Sequence, residues 1–413
     1  MQAMALGVYI SVPFCRSKCS YCNFASDVFS RAVHQSYVNR VCDSMEHASR
    51  LAEQLGVRLE RVVDSIFIGG GTPTVLDLSD LERLFVAIRS TFDLERDAEI
   101  TVECAPGTIN PAILEMFRRC GVNRVSLGVQ SFVDREAASV GRLHKRETVM
   151  NDVSRLRAAG IENINIDLIA GLPHQTAESW KASLDRVIAL EAPHVSIYML
   201  EVDQDSRLGR ELIAGGTRYH AHFAPDEDAV ADFYEEACER LNAAGITQYE
   251  ISNFCQVALE SRHNLKYWTR QPYLGFGVDA HSMLFAGDIG NDAALNGYPD
   301  ALTSGGEDRE GARFCTPDSL EEFMAGRPPE VTPISPEVAL EEAFFLGLRL
   351  TRGVNLHLLE EQFGMPAMAE VAGIIADCIS NGLMESVGQF IRLTPRGRLL
   401  SNEVFQRFIS VRT

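Results

Sequence analysis

The stretch CRSKCSYCNF places three cysteines, Cys15, Cys19 and Cys22, at the spacing C-x3-C-x2-C. Three thiolates this close together suit a zinc ion or an iron–sulfur cluster, since both take soft sulfur ligands. A structural zinc site needs four closed ligands, and no second C-x2-C or nearby cysteine–histidine pair supplies them. A 4Fe-4S cluster held by three cysteines would leave one iron open, as catalysis at a metal requires. The remaining alternative is a chance group of surface thiols.

Six short β-branched runs precede residue 200 and alternate with segments of helical apolar spacing. The runs are GVYISVP (7–13), SIFIGGG (65–71), EITVEC (99–104), RVSLGVQ (124–130), NINIDLIAG (163–171) and HVSIYML (194–200). Strands that alternate with helices form right-handed βαβ units and a parallel sheet. The pattern therefore predicts an α/β fold with a partial (β/α)6 barrel of the TIM type.

Polar or special residues come at the carboxyl ends of these runs. The cysteines follow the first run, the triple glycine ends the second, and Glu103, Gln130 and Asp167 belong to the third, fourth and fifth. In β/α barrels this rim carries the chemistry. The coincidence predicts that these side chains share one site.

Each of these groups has a possible binding role and a simpler structural alternative. The glycines of GGGTPT (69–74) allow close approach of backbone to a ligand, although a tight turn would need them too. Glu103 is suited to accept hydrogen bonds from an ammonium or a ribose, and Gln130, Arg142 and Asp167 to hold a carboxylate or an adenosine. The alternatives are a solvated carboxylate at the rim for Glu103 and a surface arginine for Arg142.

Composition narrows the class of protein. A chain of 413 residues predicts two or three domains, and a net charge of −19 disfavours nucleic-acid binding because phosphates would be repelled. No run of about 20 apolar residues appears, so a spanning helix is not expected. The apolar N-terminus reads as a first strand and not as a signal peptide.

The other seven cysteines are scattered through helix-like or strand-like context. We expect them to be small buried hydrophobes in a reducing cytoplasm. They are Cys42, Cys104, Cys120, Cys238, Cys255, Cys315 and Cys378.

Three parts are predicted along the chain. Residues 1–245 form the partial barrel, and residues 246–333 hold a strand, the stretch HNLKYW and a loop and linker rich in Gly, Asp, Pro and Thr. Residues 334–413 form a mainly helical, winged-helix-like domain with a short hairpin.

The cysteine motif, with Tyr21 directly before its last cysteine, resembles the signature of the radical S-adenosylmethionine superfamily. The resemblance implies that Cys15, Cys19 and Cys22 bind a 4Fe-4S cluster. It further implies that the open iron takes the amino and carboxylate groups of S-adenosylmethionine, which an electron then cleaves to methionine and a 5′-deoxyadenosyl radical.

Seven stretches between residue 9 and about residue 405 are similar to one group within this superfamily. They are YISVPFCRSKCSYCNF, IFIGGGTPT, VSLGVQSF, LIAGLP, RHNLKYW, YLGFGVDAHS and LTPRGRLLSNEVF. The group contains oxygen-independent coproporphyrinogen III oxidase and related heme chaperones. The resemblance implies that one or two S-adenosylmethionine molecules bind to Tyr9, Tyr21, Gly70, Gly71, Thr72, Glu103, Gln130, Arg142 and Asp167. Of these, Tyr9, Glu103 and Asp167 are the predicted catalytic residues.

Two features favour the chaperone branch of that group. The oxidase continues its motif to one more cysteine, where this chain has Phe24. The oxidase also has a substantial segment before its first strand, whereas Tyr9 stands almost at the start here.

The stretch HNLKYW supports the same branch. His263 is predicted as a heme-iron ligand, because neutral imidazole is a common axial ligand, and Tyr267 and Trp268 are suited to pack on a porphyrin. The alternative is a buried histidine beside core aromatics. His281 is a second candidate ligand.

Two positions depart from the pattern of the group. Ser11 stands where a histidine is usual, so a contact made by that histidine would be lost or moved. Asp279 stands where glycine is common, and the local turn there is expected to differ.

The resemblance implies heme binding and delivery to an acceptor protein, with an electron donor such as flavodoxin or ferredoxin. The enzymatic alternative is oxidative decarboxylation of coproporphyrinogen III to convert propionates into vinyl groups. A third is methyl or methylene transfer with two S-adenosylmethionines. A DNA-binding regulator built on the C-terminal domain is a fourth, which the negative charge disfavours.

Overall fold

The computed structural model describes residues 4–287 and 309–409. Within these ranges one sheet has twelve strands and a second sheet has three. The strands of the large sheet are β1 (Leu6–Val12), β2 (Val62–Gly70), β3 (Asp93–Cys104), β4 (Arg124–Gln130), β5 (Asn163–Ala170), β6 (His194–Met199), β7 (Thr247–Gln248), β8 (Asn253–Cys255), β9 (Tyr273–Phe276), β10 (His281–Phe285), β11 (Gly311–Cys315) and β12 (Glu330–Ile334).

The large sheet runs in the order β12-β11-β10-β9-β1-β2-β3-β4-β5-β6-β8-β7. The seven strands from β9 to β6 are parallel, and the strands outside them pair antiparallel. All six predicted parallel strands are confirmed. The sheet keeps two free edges, β12 and β7, so within the described residues it is a partial barrel and not a closed one.

Helices follow the strands as the βαβ pattern predicts. They are α1 (Arg31–Glu46), α2 (Ala48–Leu55), α3 (Leu78–Thr91), α4 (Pro111–Cys120), α5 (Asp134–Ser139), α6 (Arg146–Ala158), α7 (Ala177–Ala189), α8 (Arg207–Ile213), α9 (Glu227–Ala243), α10 (Arg262–Trp268), α11 (Leu320–Met324), α12 (Pro336–Gly347), α13 (Leu356–Ser380), α14 (Pro395–Leu399) and α15 (Ser401–Gln406).

Alternation along β1 separates the helix-covered core from the barrel interior. Its residues Leu6, Val8, Ile10 and Val12 are fully buried in the main hydrophobic core. Residues 7, 9 and 11 face the other side, because successive side chains of a strand point to opposite faces. Residues 7, 9 and 11 therefore line the barrel interior.

Residues 309–334 differ from the loop and linker that the sequence predicts. They contain β11, α11 and β12, and β11 pairs antiparallel with both β10 and β12. The composition of this segment, rich in Gly, Asp, Pro and Thr, did not indicate strands. Strand β11 forms by pairing with β10, which is distant in sequence from it. The rest of the predicted linker, 288–308, lies outside the described residues.

The predicted strand after residue 245 is two short strands, β7 and β8. Between them the chain reverses direction, and Tyr249 N donates to Asn253 O at 3.1 Å. Strands β7 to β12 all extend the large sheet. The division of the chain at 245 and 333 into separate domains stays a prediction.

The C-terminal part has its own core and is mainly helical, as predicted. A three-stranded antiparallel sheet of β13 (Val354–Asn355), β14 (Met384–Val387) and β15 (Phe390–Leu393) packs beside α12 to α15. Phe344 and Phe408 stack in this core with ring centroids 4.7 Å apart.

Helix α13 is the one helix of the described chain that is long and apolar enough to cross a membrane. Its backbone leaves the helical region at Gly364 (φ 83°), and Pro366 follows inside the helix. This break leaves a straight segment shorter than the roughly 20 residues that a span needs. Phe363, Met368 and Ile375 pack on the C-terminal core.

A buried carboxylate ties the C-terminal part to the large sheet. Glu342 on α12 accepts from Arg270 Nε at 3.0 Å and from Arg313 Nε of β11 at 2.5 Å. Glu342 is 4% exposed and Arg270 is 7% exposed. Two guanidinium groups therefore hydrogen-bond to one buried carboxylate.

We expect Glu342→Ala to lower the free energy of unfolding by about 3 kcal/mol, because the buried Arg270 guanidinium loses its nearer carboxylate and keeps only Glu310, at 3.8 Å. Urea unfolding followed by circular dichroism measures the change. The control is Glu360→Ala, an exposed position on α13. An equal effect of the two substitutions would contradict the role given to Glu342.

Candidate active site

The three predicted cluster cysteines lie on a loop that leaves and rejoins the sheet at the carboxyl end of β1. Cys15 N donates to Asp27 O at 3.0 Å, and Asp27 N donates to Pro13 O at 3.0 Å. The loop between them is pinned elsewhere by Ser20, whose N donates to Val140 O at 3.1 Å. Fixed ends and a fixed middle keep the thiols at the strand end.

The thiols are close to hydroxyl groups and are not oxidised. Cys15 Sγ lies 3.9 Å from Thr72 Oγ1, and Cys22 Sγ lies 3.9 Å from Ser26 Oγ. Cys19 is buried and the other two are half-buried. Burial raises the pKa of the Cys15 thiol, so the thiol holds its proton and a metal that binds there must displace it.

The predicted glycine turn packs directly on the stem of the cysteine loop. Gly71 N donates to Val12 O and Thr72 N to Phe14 O, both at 2.8 Å. A Cβ on Gly71 would lie 2.7 Å from Val12 O and from Phe14 O, so only glycine fits. Gly70 has φ +97°, which glycine adopts without strain.

Glu103 lies beside this turn at the end of β3. Gly70 N donates to its Oε2 at 3.2 Å. Burial, together with the charge of Asp167, raises the pKa of Glu103 to about 8, against the opposing effects of the Gly70 N–H and of Arg124 and Arg142. Tyr9 is near enough that the Glu103 charge raises its pKa, although burial is the larger cause.

Gln130 and Arg142 meet over a glycine of β4. A Cβ on Gly128 would lie 3.1 Å from Gln130 Nε2 and 3.2 Å from Arg142 Nη2. Arg142 Nη2 donates to Tyr21 Oη at 2.6 Å, which ties this arginine to the cysteine loop. Arg142 Nε is buried and has no hydrogen-bond partner among the described residues.

These contacts fit the amino-acid end of S-adenosylmethionine. An unpartnered guanidinium N–H is suited to a carboxylate, and the Glu103 carboxylate is suited to an ammonium. Both lie next to the thiols, where one iron of a three-cysteine cluster would be open. The predicted residues Tyr9, Gly70, Glu103, Gln130 and Arg142 thus come together.

Asp167 belongs to the same interior, within β5, where it pairs in register with Gly128 of β4. Ser126 Oγ donates to its Oδ2 at 2.9 Å and Asn165 Nδ2 to its Oδ1 at 2.7 Å. Burial raises the pKa of Asp167. Asn165 also contacts His194 Nδ1 at 2.7 Å, so a polar network extends below the site.

Sequence reasoning missed Asn165, His194 and Arg124. Arg124, at 1% exposure, opens β4 inside the barrel and contributes positive charge near Glu103 and Asp167. The signal was available, since a charged residue that begins an apolar strand and a polar Asn165 two residues before Asp167 both mark an inward-facing polar side.

His263 lies one level deeper, behind the cavity wall. It is 1% exposed, with Nδ1 3.2 Å from Ser65 Oγ and Nε2 2.9 Å from Tyr267 Oη. Burial lowers its pKa to about 3, with a contribution from Lys266. Its ring stacks on Phe67 at 5.6 Å between centroids. The imidazole is neutral, and both its nitrogens are engaged in this conformation.

A cavity of about 350 Å³ opens above His263 at the mouth of the barrel. Its walls include the aromatic residues Tyr9, Phe24 and Tyr267 and the rim residues Asp279 and His281. Phe24 is 63% exposed, and Gly70 and Ser26 lead from the cavity to the cysteine loop. The cavity therefore joins the cluster loop to the predicted heme residues.

The prediction that all other cysteines are buried is wrong for three of them. Cys42, Cys238 and Cys315 are half-buried, whereas Cys104, Cys120, Cys255 and Cys378 are buried as expected. Cys315 is the last residue of β11, which pairs with β10 and β12, and its thiol lies 3.5 Å from His281 Nε2.

We expect the stability of the cluster-free protein to fall as pH rises between about pH 5 and 8, because folded Glu103 keeps a proton that the unfolded chain has lost. Glu103→Gln should remove this fall and gain on the order of 1–3 kcal/mol at pH 8 relative to the parent. Urea unfolding across this pH range measures it.

The control is Glu95→Gln, at an exposed position of the same strand, which should follow the parent's pH dependence. If Glu103→Gln also follows the parent at every pH, Glu103 is not the group that titrates.

Comparison with known proteins agrees with this geometry. Residues 9–187 match the family model of the Radical SAM superfamily, and residues 334–400 match the HemN C-terminal domain. The fold is similar to that of coproporphyrinogen III oxidase (HemN) from Escherichia coli, with a TM-score of 0.79 and 23% identity over 98% of this chain and 90% of that one.

Heme chaperone HemW of Bacillus subtilis (strain 168) is 33% identical over 402 residues, which cover 97% of this chain and 98% of that protein. Heme chaperone HemW of Lactococcus lactis subsp. lactis (strain IL1403) is 31% identical over 405 residues, covering 97% and 96%. The chain therefore belongs to the HemW family of the radical SAM superfamily, and this membership implies a 4Fe-4S cluster and S-adenosylmethionine as cofactors.

Proposed function

We propose that this protein is a heme chaperone of the radical SAM type, which binds heme and transfers it to an acceptor protein. The observation that carries the proposal is the aromatic cavity beside the cysteine loop, with Phe24 in its wall. A planar apolar ligand such as a porphyrin packs well on Tyr9, Phe24 and Tyr267. The names of the relatives support the same role.

Cys15, Cys19 and Cys22 hold the 4Fe-4S cluster in this proposal. When bound, the cluster and S-adenosylmethionine supply reductive cleavage of the sulfonium. Arg142 binds the carboxylate of the methionine part, oriented by its hydrogen bond to Tyr21.

The other predicted residues position the rest of the cofactor. Glu103 and the Gly70–Thr72 backbone bind its amino group, and a bound ammonium favours the ionised form of Glu103. Gln130 and Asp167 face the ribose and adenine, with Tyr9 closing the side toward the cavity. The number of S-adenosylmethionine molecules bound per chain, one or two, is measured by titration of the cluster-loaded protein.

Heme would approach through the cavity to His263. Its neutral imidazole is the form that ligates iron. Tyr267 lies between the cavity and His263, and its hydroxyl is hydrogen-bonded to His263 Nε2. We therefore infer that heme binding displaces the Tyr267 hydroxyl.

A second candidate function is oxidation of coproporphyrinogen III. The fold likeness to HemN favours it. Phe24 in the cavity wall disfavours it, since the oxidase has a cysteine at that position of the motif. In either function an electron donor such as flavodoxin or ferredoxin would reduce the cluster, and the cytoplasm is the proposed location.

We expect Cys19→Ala to bind far less iron than the parent after anaerobic reconstitution, because a buried ligand of the cluster is removed. Iron and sulfide analysis with electron paramagnetic resonance measures the cluster. Cys42→Ala, a half-buried cysteine on α1, is the control and should load normally. A full 4Fe-4S spectrum in Cys19→Ala would contradict the ligand assignment.

We expect saturable binding of about one heme per chain to the cluster-loaded protein, followed by the Soret band. His263→Ala should weaken it at least about tenfold through loss of the axial ligand. Tyr267→Phe should bind as tightly or more tightly, because the competing hydroxyl is gone.

The control is His357→Ala, an exposed histidine on α13. Undiminished binding by His263→Ala would reject this residue as ligand and leave the chaperone function standing. An absence of saturable binding in the parent would reject the chaperone, and decarboxylation of coproporphyrinogen III would be assayed next.

A further inference from the structure

Three ligand atoms of different chemistry meet at the rim of the cavity. Cys315 Sγ lies 3.5 Å from His281 Nε2 and 3.8 Å from Asp279 Oδ1. His281 Nε2 lies 3.8 Å from Asp279 Oδ1. None of these residues belongs to the predicted cluster or to the S-adenosylmethionine contacts.

Backbone pairing holds the three residues together. His281 on β10 and Cys315 on β11 are directly opposite in an antiparallel pair, so their side chains share one face. Asp279 N donates to Pro317 O at 2.9 Å, and Thr316 N donates to Ala280 O at 3.1 Å. Backbone hydrogen bonds therefore fix the relative positions of the three side chains.

Asp279 keeps its carboxylate in a conformation that favours glycine. Its φ is +54°, in the left-handed region, where a Cβ is unfavourable. The sequence already marked this position as one where related proteins commonly have glycine. A strained backbone that points to a functional group is a reason to ask what the group does.

The spacing of the three atoms matches that around a four-coordinate metal ion. Zinc bonds of about 2.3 Å to sulfur and about 2.0–2.2 Å to nitrogen and oxygen, at tetrahedral angles, separate the ligand atoms by about 3.3–3.6 Å. The observed separations of 3.5–3.8 Å need only a small contraction. Heme iron is different, because its porphyrin leaves only the two axial positions for protein ligands.

The charge around the three atoms suits a cation. Glu330 lies opposite Cys315 on β12, and Asp318 follows two residues after Thr316. Both carboxylates act electrostatically on Cys315, as Asp279 does.

We propose that Asp279, His281 and Cys315 bind a divalent ion of the zinc class, with three protein ligands and a fourth position open. Asp279 and His281 line the cavity, so the ion borders the space where Phe24 and Tyr267 lie. This site stands whether or not the protein binds heme. It also takes His281 away from the role of heme ligand.

The test is equilibrium dialysis of the cluster-loaded protein against zinc, so that Cys15, Cys19 and Cys22 are already occupied. The parent should bind one zinc per chain more than Cys315→Ser. His281→Ala and Asp279→Gly should each bind at least about 100-fold more weakly, since loss of even an outer partner costs 10–100-fold. X-ray absorption at the zinc edge should show one sulfur near 2.3 Å in the parent and none in Cys315→Ser.

Asp279→Gly separates loss of a ligand from loss of the fold, because glycine suits φ +54° and leaves the backbone unstrained. Cys42→Ser and His357→Ala are the matched controls and should bind zinc as the parent does. If the parent and the three site variants bind the same amount, the proposal is overturned. A parent spectrum without a sulfur ligand would overturn it as well.

Discussion

Backbone hydrogen bonds at the end of β1 hold the candidate site together. Gly71 and Thr72 donate to Val12 and Phe14, and Asp27 brings the cysteine loop back to the same place. Because a Cβ at Gly71 would lie 2.7 Å from two carbonyl oxygens, a larger residue there would push the glycine turn away from the cysteine loop. A cluster bound by the loop would therefore lie next to a cofactor bound by the turn, because backbone hydrogen bonds join the two segments.

Opposed buried charges give the interior its selectivity. Glu103 and Asp167 are carboxylates whose pKa values burial raises, and Arg142 stands beside them with an N–H that has no partner among the described residues. Burial disfavours the charged form of a carboxylate, which is the main reason that the pKa of Glu103 is raised. In the proposed function, Glu103 binds the ammonium group and Arg142 the carboxylate of one zwitterionic ligand.

Tyr9 and Gly70 line the cavity, and Gly70 N donates to Glu103, so the cavity borders these charges. Tyr267 forms the wall in front of His263, and Phe24, Asp279 and His281 form the rim. Aromatic surface beside a reactive cofactor is suited to holding a large planar ligand without exposing it to water. One cavity thus borders the cysteine loop, the aromatic wall and the zinc-class site.

The local pattern of the sequence by itself determined the six parallel strands, the cysteine motif and the rim residues Glu103 and Gln130, because period-two alternation and short spacing are readable within a few residues. Only the tertiary structure decided that β9 pairs with β1, that residues 309–334 form edge strands, and that Cys315 meets His281. These outcomes depend on hydrogen bonds between segments far apart in the chain, which no local period records. The burial of His263 behind Tyr267 has the same cause, since the packing of α10 against β2 sets it.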